Sequence, residues 1–156
     1  MPETNREPAV VHGTFELERI LPAHVGHAFA AWSDPAVKAR WFANAAEFSL
    51  DFRVDGLETV RRCLADGRRL RYEASYRDIV VERRIVYHSA LWTDERLSTV
   101  SLTTVTFDAE GAATRLTLVE QGAFLDGLED PSWREHGTAR WLDALRRMLS
   151  HADEAA

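Results

Sequence analysis

Apolar and polar residues alternate through most of the chain, which is the pattern of half-buried strands. Seven segments show this period of two: 12–21, 47–54, 57–65, 69–80, 83–92, 98–108 and 114–121. Asp55-Gly56 and Asp66-Gly67 follow two of these segments and are typical hairpin turns. The sequence therefore predicts seven strands, mostly in meander order.

Three segments instead show helical spacing. Val25, Phe29 and Trp32 lie at i, i+4 and i+7, which predicts a short helix after the first strand. Asp34-Pro35 predicts the start of a second short helix over 35–41, and Asp130-Pro131 the start of a long amphipathic helix over 131–151. The expected fold class is α+β, with one long helix across an antiparallel sheet. Because one helix cannot fill a strongly curved sheet, we expect a cavity between them, capped by the apolar loop 122–130.

The domain organisation follows from the same pattern. Residues 1–11 are predicted to be a flexible leader, and residues 12–152 to form a single domain. The leader lacks an apolar stretch, so it does not resemble a secretory signal.

Composition excludes several classes of protein. The chain has 156 residues and a formal net charge of −6, which argues against nucleic-acid binding. Its single cysteine cannot form an internal disulfide or supply a zinc ribbon, and favours a cytoplasmic location. No apolar run is long enough to cross a membrane. No metal site or cofactor is predicted, since the sequence lacks the known catalytic and phosphate-binding motifs.

A family resemblance covers most of the chain in order. The matching stretches are 15–42, 50–56, 76–87, 103–127 and 134–145. The sequence resembles the SRPBCC superfamily, which has the helix-grip fold of START and Bet v 1-like proteins. Within it, the sequence is similar to the bacterial branch related to the activator of the heat-shock-protein-90 ATPase. Asp55 departs from the glycine pair that is common there, which changes only the turn.

The resemblance implies a helix-grip fold: a curved seven-stranded antiparallel sheet around a long C-terminal helix, with two short helices after the first strand. The superfamily includes lipid and hormone carriers, cyclases, dehydratases and chaperone cofactors. Similar bacterial proteins are often homodimers, and some have stress-related roles. Since fold does not settle function, none of these activities is transferred on resemblance alone.

Glu120 is the main candidate for chemistry. It shares strand parity with Leu116 and Leu118, so its carboxylate is expected to face inwards, where its pKa would rise. That suits a general acid or base, or a ligand anchor. The alternative is an ion pair with an arginine such as Arg53.

Other candidates come from strand parity and aromatic content. Ser101 and Thr103 face the interior if Val105 and Phe107 do, and solvent if the parity is reversed. His88 is a second acid–base candidate, with a structural hydrogen bond as the alternative. For the tyrosines and tryptophans the alternative to a ligand wall is core packing. The candidate ligand-binding residues are Trp41, Phe52, Tyr72, Tyr76, His88, Trp92, Ser101, Thr103, Glu120, Phe124, Trp141 and Leu145.

The leading hypothesis is a protein that binds a small lipid-like or aromatic molecule in an internal apolar cavity. One alternative is a cyclase, dehydratase or hydrolase that uses Glu120 or His88 as acid or base. The other is a chaperone-associated interaction module.

Overall fold

A computed structural model describes residues 7–43 and 46–154 of the chain. It contains seven strands, three α-helices and one π-helical segment, Ala39–Ala43. The strands are β1 (Val10–Leu21), β2 (Glu47–Leu50), β3 (Leu57–Cys63), β4 (Arg69–Val80), β5 (Arg84–Thr93), β6 (Arg96–Glu110) and β7 (Ala113–Leu125). The α-helices are α1 (Val25–Ser33), α2 (Pro35–Lys38) and α3 (Pro131–Glu154).

All seven strands belong to one antiparallel sheet, in the order β1-β7-β6-β5-β4-β3-β2. Six strands follow as a meander, and β1 returns to pair with β7. Register shifts at Tyr76/Asp78 and at Leu91/Trp92 interrupt the pairing and bend the strands. The predicted α+β helix-grip architecture is confirmed.

One face of the sheet, called here the inner face, packs against the helices. Val105, Phe107 and Leu116 of β6 and β7 are fully buried in the same core as Leu142 and Leu145 of α3. Alternate residues on these strands point to the opposite, outer face. The period of two that predicts the strands therefore also identifies the face that is buried.

Two strands end four residues away from the predicted position. β2 ends at Leu50 instead of continuing to residue 54, because the chain turns back at Arg53 to Gly56. β7 continues to Leu125, so the first four residues of the predicted loop 122–130 are strand. The extension is stabilised on both sides, since Phe124 pairs with Val11 of β1 and with Thr99 of β6.

The last two residues of the predicted leader, Val10 and Val11, belong to β1. That strand begins at Val10, where it pairs with Leu125, and the Ala9 amide donates to Asp126. Residues 1–6 of the leader lie outside the described residues.

The two short helices form where the sequence predicts them. The Asp34 carboxylate accepts hydrogen bonds from the amides of Ala36 and Val37, which caps α2. The chain then continues as the π-helical segment, and the Trp41 indole donates to the Ala31 carbonyl at 2.9 Å. This bond ties the π-helical segment to α1.

A buried ion pair joins α2 to the sheet. The Lys38 side chain is only 1 % exposed, and its Nζ lies 2.7 Å from Oε2 of fully buried Glu58 on β3. The Tyr76 hydroxyl donates to Glu58 at 2.8 Å and accepts from Lys38 at 3.1 Å. Burial lowers the pKa of Lys38, against the raising influence of Glu58. The two charges compensate each other in a site that excludes water.

Removing one charge of this pair should be more damaging than removing both. Lys38→Met leaves Glu58 as an uncompensated buried carboxylate, and we expect a loss of about 3–5 kcal/mol in the free energy of unfolding. Adding Glu58→Gln to the same chain should restore much of that loss. Urea unfolding of the two single variants and the double variant measures the coupling. The exposed pair Arg53–Asp51 is the control and should show little coupling. Additive effects of Lys38→Met and Glu58→Gln would contradict this account.

Candidate functional site

A cavity of about 160 Å³ lies between α3 and the inner face of the sheet. β3, β4, β5, the π-helical segment, α3 and the turn before α3 all contribute to its wall. The lining residues are Phe42, Val60, Arg62, Leu70, Tyr72, Leu91, Glu129, Trp133, Arg134, Gly137, Thr138 and Trp141.

Aromatic rings form much of the wall. Phe42 lies at the centre of this group, with its ring centroid 4.7 Å from that of Trp141 and 5.9 Å from that of Tyr72. Both contacts are edge-to-face, a favourable arrangement that fixes the ring planes. Trp133 is different, because 61 % of its surface is exposed. It therefore stands at the rim of the cavity.

One end of the cavity carries charges, and we call Glu120, Glu129 and Arg134 the acidic end. The Arg134 guanidinium lies 3.0 Å from Glu129 and 3.7 Å from Glu120. Thr99 donates to Glu129 at 2.6 Å. Burial alone would lower the pKa of Arg134, but the two carboxylates raise it above its usual value. Two carboxylates surround one guanidinium, so the charge of Arg134 is fully compensated.

Glu120 is the most constrained member of the acidic end. It is 5 % exposed, and Thr103 and Ser101 donate to its carboxylate at 3.3 and 3.4 Å. Burial raises its pKa, while Arg134 and the Thr103 hydrogen bond act in the opposite direction. Both hydroxyl residues therefore face inwards with Val105 and Phe107, and the reversed parity is ruled out.

Comparison with known proteins identifies the family. Residues 22–150 match the family model described as Activator of Hsp90 ATPase homolog 1-like protein. The chain belongs to this family. No curated protein matches the sequence.

Several bacterial proteins of known structure have the same fold as this chain. An uncharacterised protein from Rhizobium leguminosarum is 38 % identical, with a TM-score of 0.90 over 94 % of this chain and 99 % of that one. A Rhizobium loti protein is 40 % identical, with a TM-score of 0.84 over 89 % and 98 %. A Chromobacterium violaceum protein, at 23 % identity and a TM-score of 0.72 over 87 % and 96 %, shows the same fold.

The structure brings only part of the predicted site together. Tyr72 and Trp141 line the cavity. Glu120 contacts the lining residue Arg134, and Ser101 and Thr103 donate hydrogen bonds to Glu120. The other inward-facing candidates are packing residues that do not line the cavity: Trp41, Phe52, Tyr76, Phe124 and Leu145. The Glu120 carboxylate lies against Arg134, whereas Arg53 pairs with Asp51.

Two predicted residues lie on the wrong side of the sheet. His88 is exposed on the outer face, because its neighbours Tyr87 and Ser89 in β5 are the inward-facing residues. Trp92 follows the register shift in β5 and stacks with Arg71, whose guanidinium carbon lies 3.9 Å from the ring centroid. Neither side chain lines the cavity.

Sequence patterns missed the charged residues of the cavity. Arg134 occupies a helix position that, by composition, looks solvent-exposed, yet it is 7 % exposed. Glu129 lies in the turn before α3, where periodicity gives no information. Helical spacing was the one available signal, because Arg134 lies four residues before Thr138 and eleven before Leu145, on the buried side of α3.

The described residues contain neither a cluster of metal ligands nor a helix that could cross a membrane. No group of three or more histidine, cysteine, aspartate or glutamate side chains is placed there to hold a metal ion. None of the helices in that part of the chain has the length and apolar character needed to span a bilayer.

The raised pKa of Glu120 predicts a specific pH dependence. Since the folded protein holds this proton more tightly than the unfolded chain, Glu120 contributes its full stability only below its unfolded pKa, near 4.5. That contribution is lost as the pH rises through the folded pKa. Glu120→Gln removes the titration and keeps an oxygen for Ser101 and Thr103. Its stability relative to the native protein should therefore increase as the pH rises above about 4.5, measured by urea unfolding.

The control is Glu16→Gln at an exposed position of β1, where the side chain stays in water in both states. It should show a much smaller change with pH. A relative stability of Glu120→Gln that falls as the pH rises would reverse the sign and refute the interpretation.

Proposed function

We propose that the protein binds a small apolar or aromatic molecule in the cavity between α3 and the sheet. The observation that carries this proposal is a cavity of about 160 Å³ with aromatic walls and hydrogen-bonded charges at one end. Binding sites for small molecules typically combine an apolar wall with a few fixed polar groups.

The size of the cavity limits what it can hold. An apolar cavity of about 150 Å³ engineered into another protein holds one benzene ring. A single aromatic ring or a short alkyl chain therefore fits here, whereas a large lipid does not fit completely. The edge-to-face rings of Phe42 and Trp141 provide contacts suited to an aromatic guest.

The rim supports access from solvent. Trp133 lies on the first turn of α3, lines the cavity and is mostly exposed. An exposed tryptophan next to an apolar cavity gives a ligand a surface to contact as it enters.

The second candidate function is acid–base catalysis by Glu120. Burial raises its pKa, and a carboxyl group with a raised pKa is better suited to proton transfer. Arg134 separates it from the cavity wall, and His88 is on the opposite face. Glu120→Gln distinguishes the two functions: a catalyst loses turnover of a bound compound, whereas a binding protein retains its affinity.

Gly137 provides a direct test of the cavity. It lines the cavity on α3, and a Cβ built there has no heavy atom within 4 Å. Gly137→Leu should occupy the space without a clash, and the lost glycine should stabilise the helix by up to about 1 kcal/mol. Toluene, phenol and indole should raise the melting temperature of the native protein and leave that of Gly137→Leu unchanged.

His136→Leu is the matched control, because it adds the same side chain at an exposed position of the same helix. It should keep the ligand-induced shift. Equal shifts in the native protein and in Gly137→Leu would place binding elsewhere, and no shift with any compound would count against the proposed function.

A further inference from the structure

Among the described residues, Arg62 is the charged residue of the cavity wall without a carboxylate partner. Its only hydrogen bond in the described residues goes to the Ala43 carbonyl, at 3.1 Å, and no ion pair involves it there. The side chain is partly buried. Its remaining N–H donors are therefore available at the edge of an apolar space, where a charge-assisted hydrogen bond is stronger than in water.

The other charges of the wall cannot play this part. Arg134 is already surrounded by Glu129 and Glu120, and these three groups carry one more negative charge than positive when both carboxyls are ionised. An anion placed beside them would be repelled by Glu129. An anionic group is therefore directed away from the acidic end and towards Arg62.

Arg62 and the acidic end lie at different positions across the sheet. Arg62 lies on β3 and Thr99, which holds Glu129, lies on β6, three strands away. At about 4.8 Å between neighbouring strands, their backbones are about 14 Å apart along the sheet. Arg62 and Glu129 therefore reach the cavity wall from different parts of the fold, β3 and the turn before α3.

Arg62 also borders a second, more open space. Arg62 and Leu70 line both the cavity and an outer groove of about 1070 Å³ near the β3–β4 turn. Arg61 and Arg69 line that groove too, beside Glu47, Asp94 and Glu95, and neither arginine forms an ion pair in the described part of the chain. A polar group that is too large for the cavity therefore has room in the groove, whose wall contains both arginines and carboxylates.

On the basis of the proposed function, we propose that the ligand is an amphipathic anion whose ring-sized apolar part fills the cavity and whose carboxylate, sulfate or phosphate binds Arg62. The apolar part matches the aromatic wall, and the anion supplies the partner that Arg62 lacks. The proposal defines both the chemical class of the ligand and its direction in the cavity.

The test compares probes that share one apolar group and differ in charge. Phenylpropanoate, phenylpropanamide and phenylpropylamine are titrated into the native protein and followed by tryptophan fluorescence and calorimetry. Phenylpropyl phosphate is the fourth probe and shows whether the head group is preferentially a carboxylate or a phosphate. We expect both anions to bind about tenfold or more tightly than the amide.

Substitutions then locate the anion. Arg62→Gln should remove the preference for the anions and leave the affinity for the amide nearly unchanged. Arg62→Lys keeps the charge and should retain part of the preference, which guards against a folding defect in the glutamine variant. Arg147→Gln is the matched control; it removes an exposed arginine of α3 that lines neither the cavity nor the groove and should leave binding of phenylpropanoate almost unaffected.

The outcomes separate this inference from the proposed function. If all probes bind equally in the native protein and in Arg62→Gln, or if the amine binds most tightly, the anion proposal is overturned while ligand binding stands. If no probe binds and toluene, phenol and indole also fail, both proposals are overturned.

Discussion

Charge that is buried on the inner face of the sheet has to be neutralised within the protein, and this constraint organises the site. Arg134 cannot enter the space under α3 unless carboxylates meet it there. Glu129 from the turn and Glu120 from β7 supply them, and Thr99 of β6 holds Glu129 in place. This ion-pair cluster thus links α3 to the turn before it and to β7, and it forms the acidic end.

The cavity is the second consequence of the architecture. One helix covers seven strands, so side-chain volume at the crossing decides whether the space is filled. Gly137 faces the cavity with no atom within reach of a Cβ, although a larger residue would fit and would favour the helix. At about 24 cal/mol per Å³, leaving such a space empty costs at most about 4 kcal/mol. Stability is given up at the place where a ligand would restore it.

Local periodicity predicted the fold because strand and helix patterns are determined by which residues are buried. The same patterns named Tyr72 and Trp141, which line the cavity. His88 alternates with Tyr87 along β5, so it faces the outer side of the sheet when Tyr87 faces the core. Arg134 escaped prediction because its partners lie in other elements, and pairing between distant residues leaves no local pattern.

The two buried carboxylates of the inner face, Glu58 and Glu120, differ in their distance from the nearest cation. Glu58 has an ammonium 2.7 Å away, whereas the nearest cation to Glu120 is the Arg134 guanidinium at 3.7 Å, which it shares with Glu129. Lys38 with Glu58 is therefore a closed structural unit. When Glu120 and Glu129 are both ionised, the acidic end carries one excess negative charge, and Arg62 has no carboxylate partner within the described residues. A cavity with opposite unmatched charges at separate places discriminates between the two orientations of a polar guest, which a uniformly apolar cavity of the same size cannot do.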